Sequence, residues 1–588
     1  MNSMRRYIIA LFLLSLALPV FAQETVLDSG TAQSYRFGDR RKDVKPALLQ
    51  ELKLDGERVY DVEVFKSDRT SYMVTLGFLS TAPVKKGDVM LAQIELRTLS
   101  AQQETGESSV NIYFQEAESP YSKSFTSQIG SDSEWTQFNV PFRAHMDMAP
   151  GTAVLELALA SLVQHIQIKG IRILNYGPDK YIDSLPKTRF TYPGREKDAA
   201  WRQEALKRIQ EIRTAPVQVN VKNAKGKAVK GAKVRVKMLR SDFIWGTAVS
   251  GLKMFHGQEL DSVYAGKLAE FFNTAILGNG LKAGGWFEQN RKESTLRTFN
   301  WLYDNGFRIR GHNLVWPAWK FNPRAAKIIA YENPEVFDSY IKAQFYERMA
   351  FTKGRVVAWD VVNEPFHERE FFQFLPKDVM VDWFKLAKQL DPDAQLFINE
   401  YAMLNSVQSQ ENIRVYIDMI MDLLSKGAPV EAIGVQGHIG TQPRAPQLVI
   451  KDLDLFVPVG LPVQITEWDI NTKDEELQAD YSRDFLIAVY SHPVVTGINM
   501  WGFWEADHWK PDAALFRRDW SIKPNGEVWK ELVLGEWRTN VSLSSDRKGQ
   551  AASRAHLGDY EITVTYKGKE YVTTSHVGKE GLILDITL

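Results

Sequence analysis

Two glutamates sit where acid–base chemistry needs them. Asn363-Glu364-Pro365-Phe366 follows the apolar run Val356-Val357-Ala358-Trp359-Asp360-Val361-Val362, and Thr466-Glu467-Trp468-Asp469 follows Val463-Gln464-Ile465. Such runs have the pattern of parallel strands covered on both faces. In a (β/α)8 barrel, residues just past the C-terminal ends of strands line the active site. Two carboxyls delivered to one rim from two strands suit cleavage of a glycosidic bond, one as acid and the other as nucleophile or base.

The elements that must hold these residues run from about 241 to 537. Eight strand candidates follow in order: Phe243–Thr247, Ala275–Leu277, Arg308–Gly311, Val356–Val362, Gln395–Ile398, Ala432–Val435, Val463–Thr466 and Gly497–Met500. Helical stretches lie between them, among them Pro334–Met349, Lys377–Leu390, Val407–Lys426 and Gln478–Ser491. Strands alternating with helices over this length predict an α/β fold, a (β/α)8 TIM barrel. No short-period repeat appears, which argues against a solenoid.

Other segments flank the barrel. Residues 1–22 have a basic start at Arg5 and Arg6, an apolar stretch and Val20-Phe21-Ala22 before Gln23, which predicts a cleaved signal peptide. Residues 23–178 alternate in short strands separated by Gly, Asp and Ser, predicting a β-sandwich, and the last strand with Leu174-Asn175-Tyr176-Gly177 resembles the end of jelly-roll carbohydrate-binding modules. Its Tyr113, Phe114, Tyr121 and Trp135 are a possible sugar platform, with core packing the stronger expectation for each. Residues 179–214 form a linker and a helix, and 215–240 a β-hairpin. Residues 538–588 are further strands, expected to pair with 215–240 as a small flanking β-domain, since a lone hairpin is marginal.

The chain has 588 residues, enough for two to four domains. Lys+Arg and Asp+Glu are 72 each, so the formal net charge is zero. That balance gives no support for nucleic acid or an anionic membrane as partner and favours a neutral polymer. There is no cysteine, which excludes disulfides, thiolate metal sites and cysteine nucleophiles. The histidines have no metal-ligand spacing and no phosphate loop is present, so neither a metal nor another cofactor is expected. An exported monomer of a bacterial periplasm or the medium, with a polysaccharide as partner, fits these features.

Polar side chains and tryptophans recur at the strand ends. Strand three ends in His312 and Trp316, strand four in Asn363 and Glu364, strand five in Asn399-Glu400-Tyr401 and strand six in Gln436 and His438. Strand seven gives Glu467 and Asp469, and strand eight Trp501, with Trp504 and Trp509 in the loop beyond it. Hydroxyls need donors and acceptors while the apolar face of a sugar stacks on indole, so this rim predicts a sugar cleft. Glu400 is expected to support rather than react.

Asp360-Val361-Val362-Asn363-Glu364-Pro365, Gly434-Val435-Gln436-Gly437-His438 and Ile465-Thr466-Glu467-Trp468-Asp469 together resemble glycoside hydrolase family 10, the endo-β-1,4-xylanases. The resemblance covers roughly 243–530. It implies a retaining double displacement on xylan, with Glu467 as nucleophile and Glu364 as acid and then base. It also implies that Asn363 bonds the sugar 2-hydroxyl, and that His438, helped by Asp469, orients Glu467. Gln436 and His312 would hold hydroxyls, and Trp316, Trp501 and Trp509 would line the cleft. A β-glycanase for another plant polymer, or a binding protein without turnover, would share parts of this pattern.

The sequence departs from the family at two places. The family usually has a Glu-Asn pair followed by Met-Lys-Trp after strand two; here the stretch is Gly278-Asn279-Gly280-Leu281-Lys282-Ala283. Asn279 and Lys282 remain to reach the distal glycone sugar. Pro317 stands where a His commonly follows Leu-Val-Trp. Both changes fall on the glycone side and raise the expectation of a widened subsite for a decorated chain.

Overall fold

The structure, a computed structural model, describes residues 23–588 apart from 33, 40–46, 69, 103–105, 321 and 406–408, and apart from the side chains of Asp39 and Asn290. The expected signal peptide, 1–22, lies outside the described residues. The chain divides into two units, one holding residues up to 102 and 108–189, the other 103–107 and 190–588.

The first unit is a β-sandwich. One sheet carries Ala47–Leu54, Glu57–Val64, Gln164–Asn175, Val89–Ala101 and Thr136–Arg143 in that order, with Glu24–Asp28 also paired to Gln164–Asn175. The other carries Arg36–Asp39, Val74–Leu79, Ala153–Ala158, Val110–Glu116 and Lys123–Ile129. Strands distant in sequence become neighbours, as in Greek-key sandwiches. Along Val89–Ala101, Ile94, Leu96 and Thr98 are buried while Gln93, Glu95 and Arg97 are half-buried on the other face, the alternation expected of a one-sided sheet. Phe114 is fully buried with its ring 5.4 Å from that of Phe142, so it is core. Trp135 is half-buried with Arg97 and Lys169 each 4.9 Å from its ring centre. This unit extends past 178, because Leu185 is buried with Val89, Leu91 and Leu174.

In the second unit, helix Ala200–Ile212 packs against helix Glu475–Tyr490. Arg202 joins them: its Nε and Nη2 donate to Asp484 at 2.9 and 2.7 Å, and Asp484 also accepts from Tyr192 Oη at 2.9 Å. Asp484 is fully buried. Losing one partner of a buried pair leaves a charge without compensation. Arg202→Ala is therefore expected to lower stability by about 3 kcal/mol, the low end of the range for such losses, because Arg483 still faces Asp484 at 2.8 Å. Urea titration measures it.

The flanking β-domain differs from the expected hairpin. Thr214–Lys222 pairs with Gln550–His556 and Leu582–Thr587, whereas Lys233–Ser241 pairs with Asn540–Ser544 and Gly558–Tyr566 in a separate sheet. The Lys- and Gly-rich connection turns back only briefly, Val229 N donating to Val221 O at 2.9 Å, and then carries the chain into the other sheet. Alternation identifies a strand but not its partner, and here both strands find better cover among the C-terminal ones. Val217, Val219, Val221, Val234 and Val236 interleave with Tyr560, Ile562 and Val564 between the sheets.

Between these halves the chain forms the closed parallel barrel. Its strands are Ile244–Val249, Thr274–Leu277, Arg308–Val315, Ala358–Asn363, Gln395–Glu400, Ala432–Val435, Val463–Ile470 and Val495–Met500, and the eighth pairs with the first. The third and seventh run further than their apolar stretches predict. Asp469 and Ile470 stay paired with His438 and Ile439, so the strand carries its polar residues within it.

Candidate active site

Local irregularities aim the functional side chains. The ladder between the seventh and eighth strands shifts register between Ile465 and Trp468. Strict alternation would send Thr466 and Glu467 to opposite faces. Instead both reach Asn399: Thr466 Oγ1 donates to its Oδ1 at 2.6 Å, and its Nδ2 donates to Glu467 Oε1 at 2.8 Å. Trp468 turns outward and stacks on Phe485. Glu364 has φ of 60°, a left-handed conformation unfavourable for a side-chain-bearing residue. It is held there by its N–H, which donates to Asn399 O, and by its O, which accepts from Glu368 N.

Both glutamates are buried, Glu364 at 6% and Glu467 at 4% exposure. Glu364 Oε1 accepts from Asn363 Nδ2 at 3.0 Å and Gln436 Nε2 at 2.8 Å, and Oε2 from Trp316 Nε1 at 2.8 Å. Burial pushes its carboxyl up to about 8; Lys320 opposes this, while Glu467 and Glu400 add to it. Asn399 Nδ2 also donates to Asn363 Oδ1 at 2.8 Å, so two amides link the glutamates.

Glu467 lies in a different field. His438 Nε2 is 3.5 Å from Oε2, and His312 Nε2 is 3.9 Å from Oε1. Burial works against a charge on His438, but Asp469 at 3.0 Å and Glu467 outweigh it and push the imidazole up to about 10. His312 Nδ1 meets Asp360 at 2.8 Å; burial opposes the charge on Asp360, but Arg310 and His312 hold its carboxyl below the usual range. The result is one carboxyl kept protonated at neutral pH and another beside a cationic histidine, a division of labour suited to acid and nucleophile.

The remaining candidates surround this pair. Lys282 is buried, its ammonium 4.8 Å from the Trp316 ring centre and 5.8 Å from that of Trp501, and donates to Asn279 Oδ1 at 3.1 Å. Asn279 is exposed. Trp501 lies 4.9 Å from the His312 ring. Trp509, 42% exposed, is 4.9 Å from the His438 ring, and its indole donates to Asp469 at 2.7 Å. Trp316 and Gln436, expected as a cleft wall and a hydroxyl holder, also each donate an N–H to Glu364. Glu400 accepts from Phe366 N at 2.8 Å and meets His367 Nδ1 at 2.8 Å, tying the loop after Glu364 to the fifth strand.

Asn399 was placed on the rim without a role, and Lys320 was missed. Asn399 pairs in register with Asn363 on the neighbouring strand, and that equivalence of strand ends was a usable signal. Lys320 lies in a loop without periodicity; only folding puts it 4.5 Å from the Trp316 ring and 2.7 Å from Glu368.

A closed parallel barrel with two buried, linked glutamates at its C-terminal rim has the build of a barrel glycosidase. The family model for glycosyl hydrolase family 10 matches residues 236–529, and the chain belongs to that family. Among curated relatives, the anti-sigma-I factor RsgI6 of Acetivibrio thermocellus is 31% identical, over 63% of this chain and 47% of its own length. Endo-1,4-beta-xylanase 1 of Arabidopsis thaliana is 28% identical, over 69% of this chain and 42% of its own. The chain thus spans less than half the length of these two relatives. The solved xylanase 10B from Thermotoga maritima is 25% identical over 50% of this chain and 95% of its own, with a TM-score of 0.44.

Proposed function

We propose that this protein is an exported endo-β-1,4-xylanase that cleaves internal bonds of xylan with retention. Glu467 attacks the anomeric carbon while Glu364 gives its proton to the departing oxygen, forming a glycosyl ester on Glu467. Glu364, now a carboxylate, takes a proton from water, and that water releases the sugar. Alkylation of Glu467 removes the negative charge that helped keep Glu364 protonated, so the acid can become a base. Asn363 faces the 2-hydroxyl, His438 fixes Glu467, and Asn279, Lys282, His312, Trp501 and Trp509 hold the glycone sugars.

The observation that carries this reading is the asymmetry between a carboxyl raised to about 8 and a second one beside a cationic histidine. Reducing-sugar release from xylan, mixed-linkage β-glucan and mannan tests it. Release from β-glucan alone would favour a glycanase for another polymer. No release from any polymer would leave only a binding protein.

The acid also sets a pH dependence. Its proton is lost as pH rises, so kcat/KM is expected to fall through about pH 8. Lys320 favours the carboxylate, so removing its charge raises the carboxyl further. Lys320→Met is therefore expected to move the alkaline limb to higher pH. A pH–rate profile with an unmoved or lowered limb would contradict this.

A further inference from the structure

The loop after the eighth strand sends Trp509 to a carboxylate beside the nucleophile. Trp509 Nε1 donates to Asp469 Oδ2 at 2.7 Å, and the same oxygen meets His438 Nδ1 at 3.0 Å. Asp469 is 1% exposed, yet its Oδ1 has no hydrogen-bond partner among the described residues. His508, the residue before Trp509, is 5% exposed, and its Nε2 likewise has no partner among them. Leaving a buried polar atom unserved is costly, so each such atom calls for a partner, another group or a buried water.

The proton on His508 can be placed. Burial pushes its imidazole down to about 4; His438, Lys523 and Lys510 act the same way, and Asp469 opposes them. The ring is therefore neutral at neutral pH and carries one N–H. Lys510 N donates to Nδ1 at 3.0 Å, so Nδ1 is the acceptor and Nε2 carries the hydrogen. One buried donor thus lacks an acceptor while one buried acceptor lacks a donor. The two groups act electrostatically on each other, which puts them in one neighbourhood. The ring is also firmly seated: Gly502 has φ of 126°, and a Cβ there would lie 2.9 Å from His508 Cδ2.

We infer that His508 is a positioning residue for Glu467, its Nε2–H joined through one bridging water to Asp469 Oδ1. A water between a donor and an acceptor holds both nearly as well as a direct bond. Two consecutive residues of one loop then hold the two oxygens of one carboxylate, Trp509 at Oδ2 and His508 at Oδ1. Asp469 keeps one orientation, with Oδ2 turned to His438. His438 in turn keeps its Nε2 at 3.5 Å from Glu467 Oε2. His508 acts on the nucleophile through Asp469 and His438, not through the substrate. The inference rests on the assignment of Glu467 as nucleophile.

Two variants of the full chain separate this role from loop packing. His508→Asn keeps an oxygen near the Nδ1 position, to accept from Lys510 N, and loses the reach toward Asp469. His508→Gln keeps an N–H near the Nε2 position and loses the acceptor for Lys510 N. His508→Asn is expected to lower kcat on xylan about tenfold with KM within about twofold, and His508→Gln to stay within about threefold of the wild type. Proton NMR of the resting protein reads the N–H shared by His438 and Asp469, identified by its loss in His438→Gln. That signal should move in His508→Asn and keep its position in His508→Gln. The reverse order, with His508→Gln impaired and His508→Asn normal, would make His508 a loop anchor only. Equal rates in the two variants, or a signal unmoved by His508→Asn, would also overturn the inference. Should His508→Asn unfold, His508→Gln decides, and a moved signal there overturns it. The signal needs no substrate, so failure to cleave any xylan sinks the xylanase reading and leaves the signal to decide this one.

Discussion

Glu467→Gln is expected to lower xylan hydrolysis on the order of 10⁴-fold or more, with the polymer still bound. The substitution keeps the shape but removes the carboxylate that forms the ester in the proposed mechanism. An amide can still accept from Asn399 Nδ2, which lies 2.8 Å from Glu467 Oε1. Its NH₂ would face the Nε2–H of His438, which lies 3.5 Å from Oε2, and two donors cannot satisfy each other. The histidine would also lose one of the two carboxylates that sustain its charge. Mass spectrometry after reaction with a slowly released fluorosugar should show one added glycosyl group on the wild type and none on the variant. Activity within tenfold of the wild type would show that another group is the nucleophile.

Glu364→Ala should split substrates by how much acid help they need. On xylan, whose leaving group is a sugar alkoxide, loss of proton donation is expected to cost roughly 10²–10⁴-fold. On an aryl xyloside with an acidic phenol the first step needs no proton and should survive. The second step still lacks its base, so a burst followed by slow turnover is expected. Azide needs no deprotonation and should restore turnover, leaving a glycosyl azide. Equal losses on both substrates, with no azide effect, would mean that Glu364 only supports the site. That outcome is set against three donors converging on its carboxyl, an arrangement that orients it closely.

Sequence pattern made the barrel legible where burial is two-sided. Ala432–Val435 is bounded by turns, and the strand has the expected limits. The glutamates were legible for the same reason, each ending a short, largely apolar run. Pattern failed where partners matter. Val217 and Val234 alternate equally well as a hairpin or as members of two sheets, and only the C-terminal strands decide between these. It was silent on contacts between side chains: nothing in the pattern shows that Gln436 donates to Glu364. The register shift near Glu467 and the left-handed turn at Glu364 leave no mark on hydrophobic periodicity, yet they set the directions of both carboxyls.

The small β-domain is made from chain on either side of the barrel, with Thr214 opposite His556 and Val217 beside Leu582. During synthesis from the N-terminus, its opening strands emerge long before their partners. The barrel, built from successive local βα units, can condense first. The valines of 214–241 then stay uncovered until residues 538–588 have been made. A ribosome that stops short releases a chain with a formed catalytic barrel and an uncovered apolar strand pair, the kind of surface that holdases and proteases detect. Quality control can thereby detect a chain that lacks residues 538–588 without inspecting the active site.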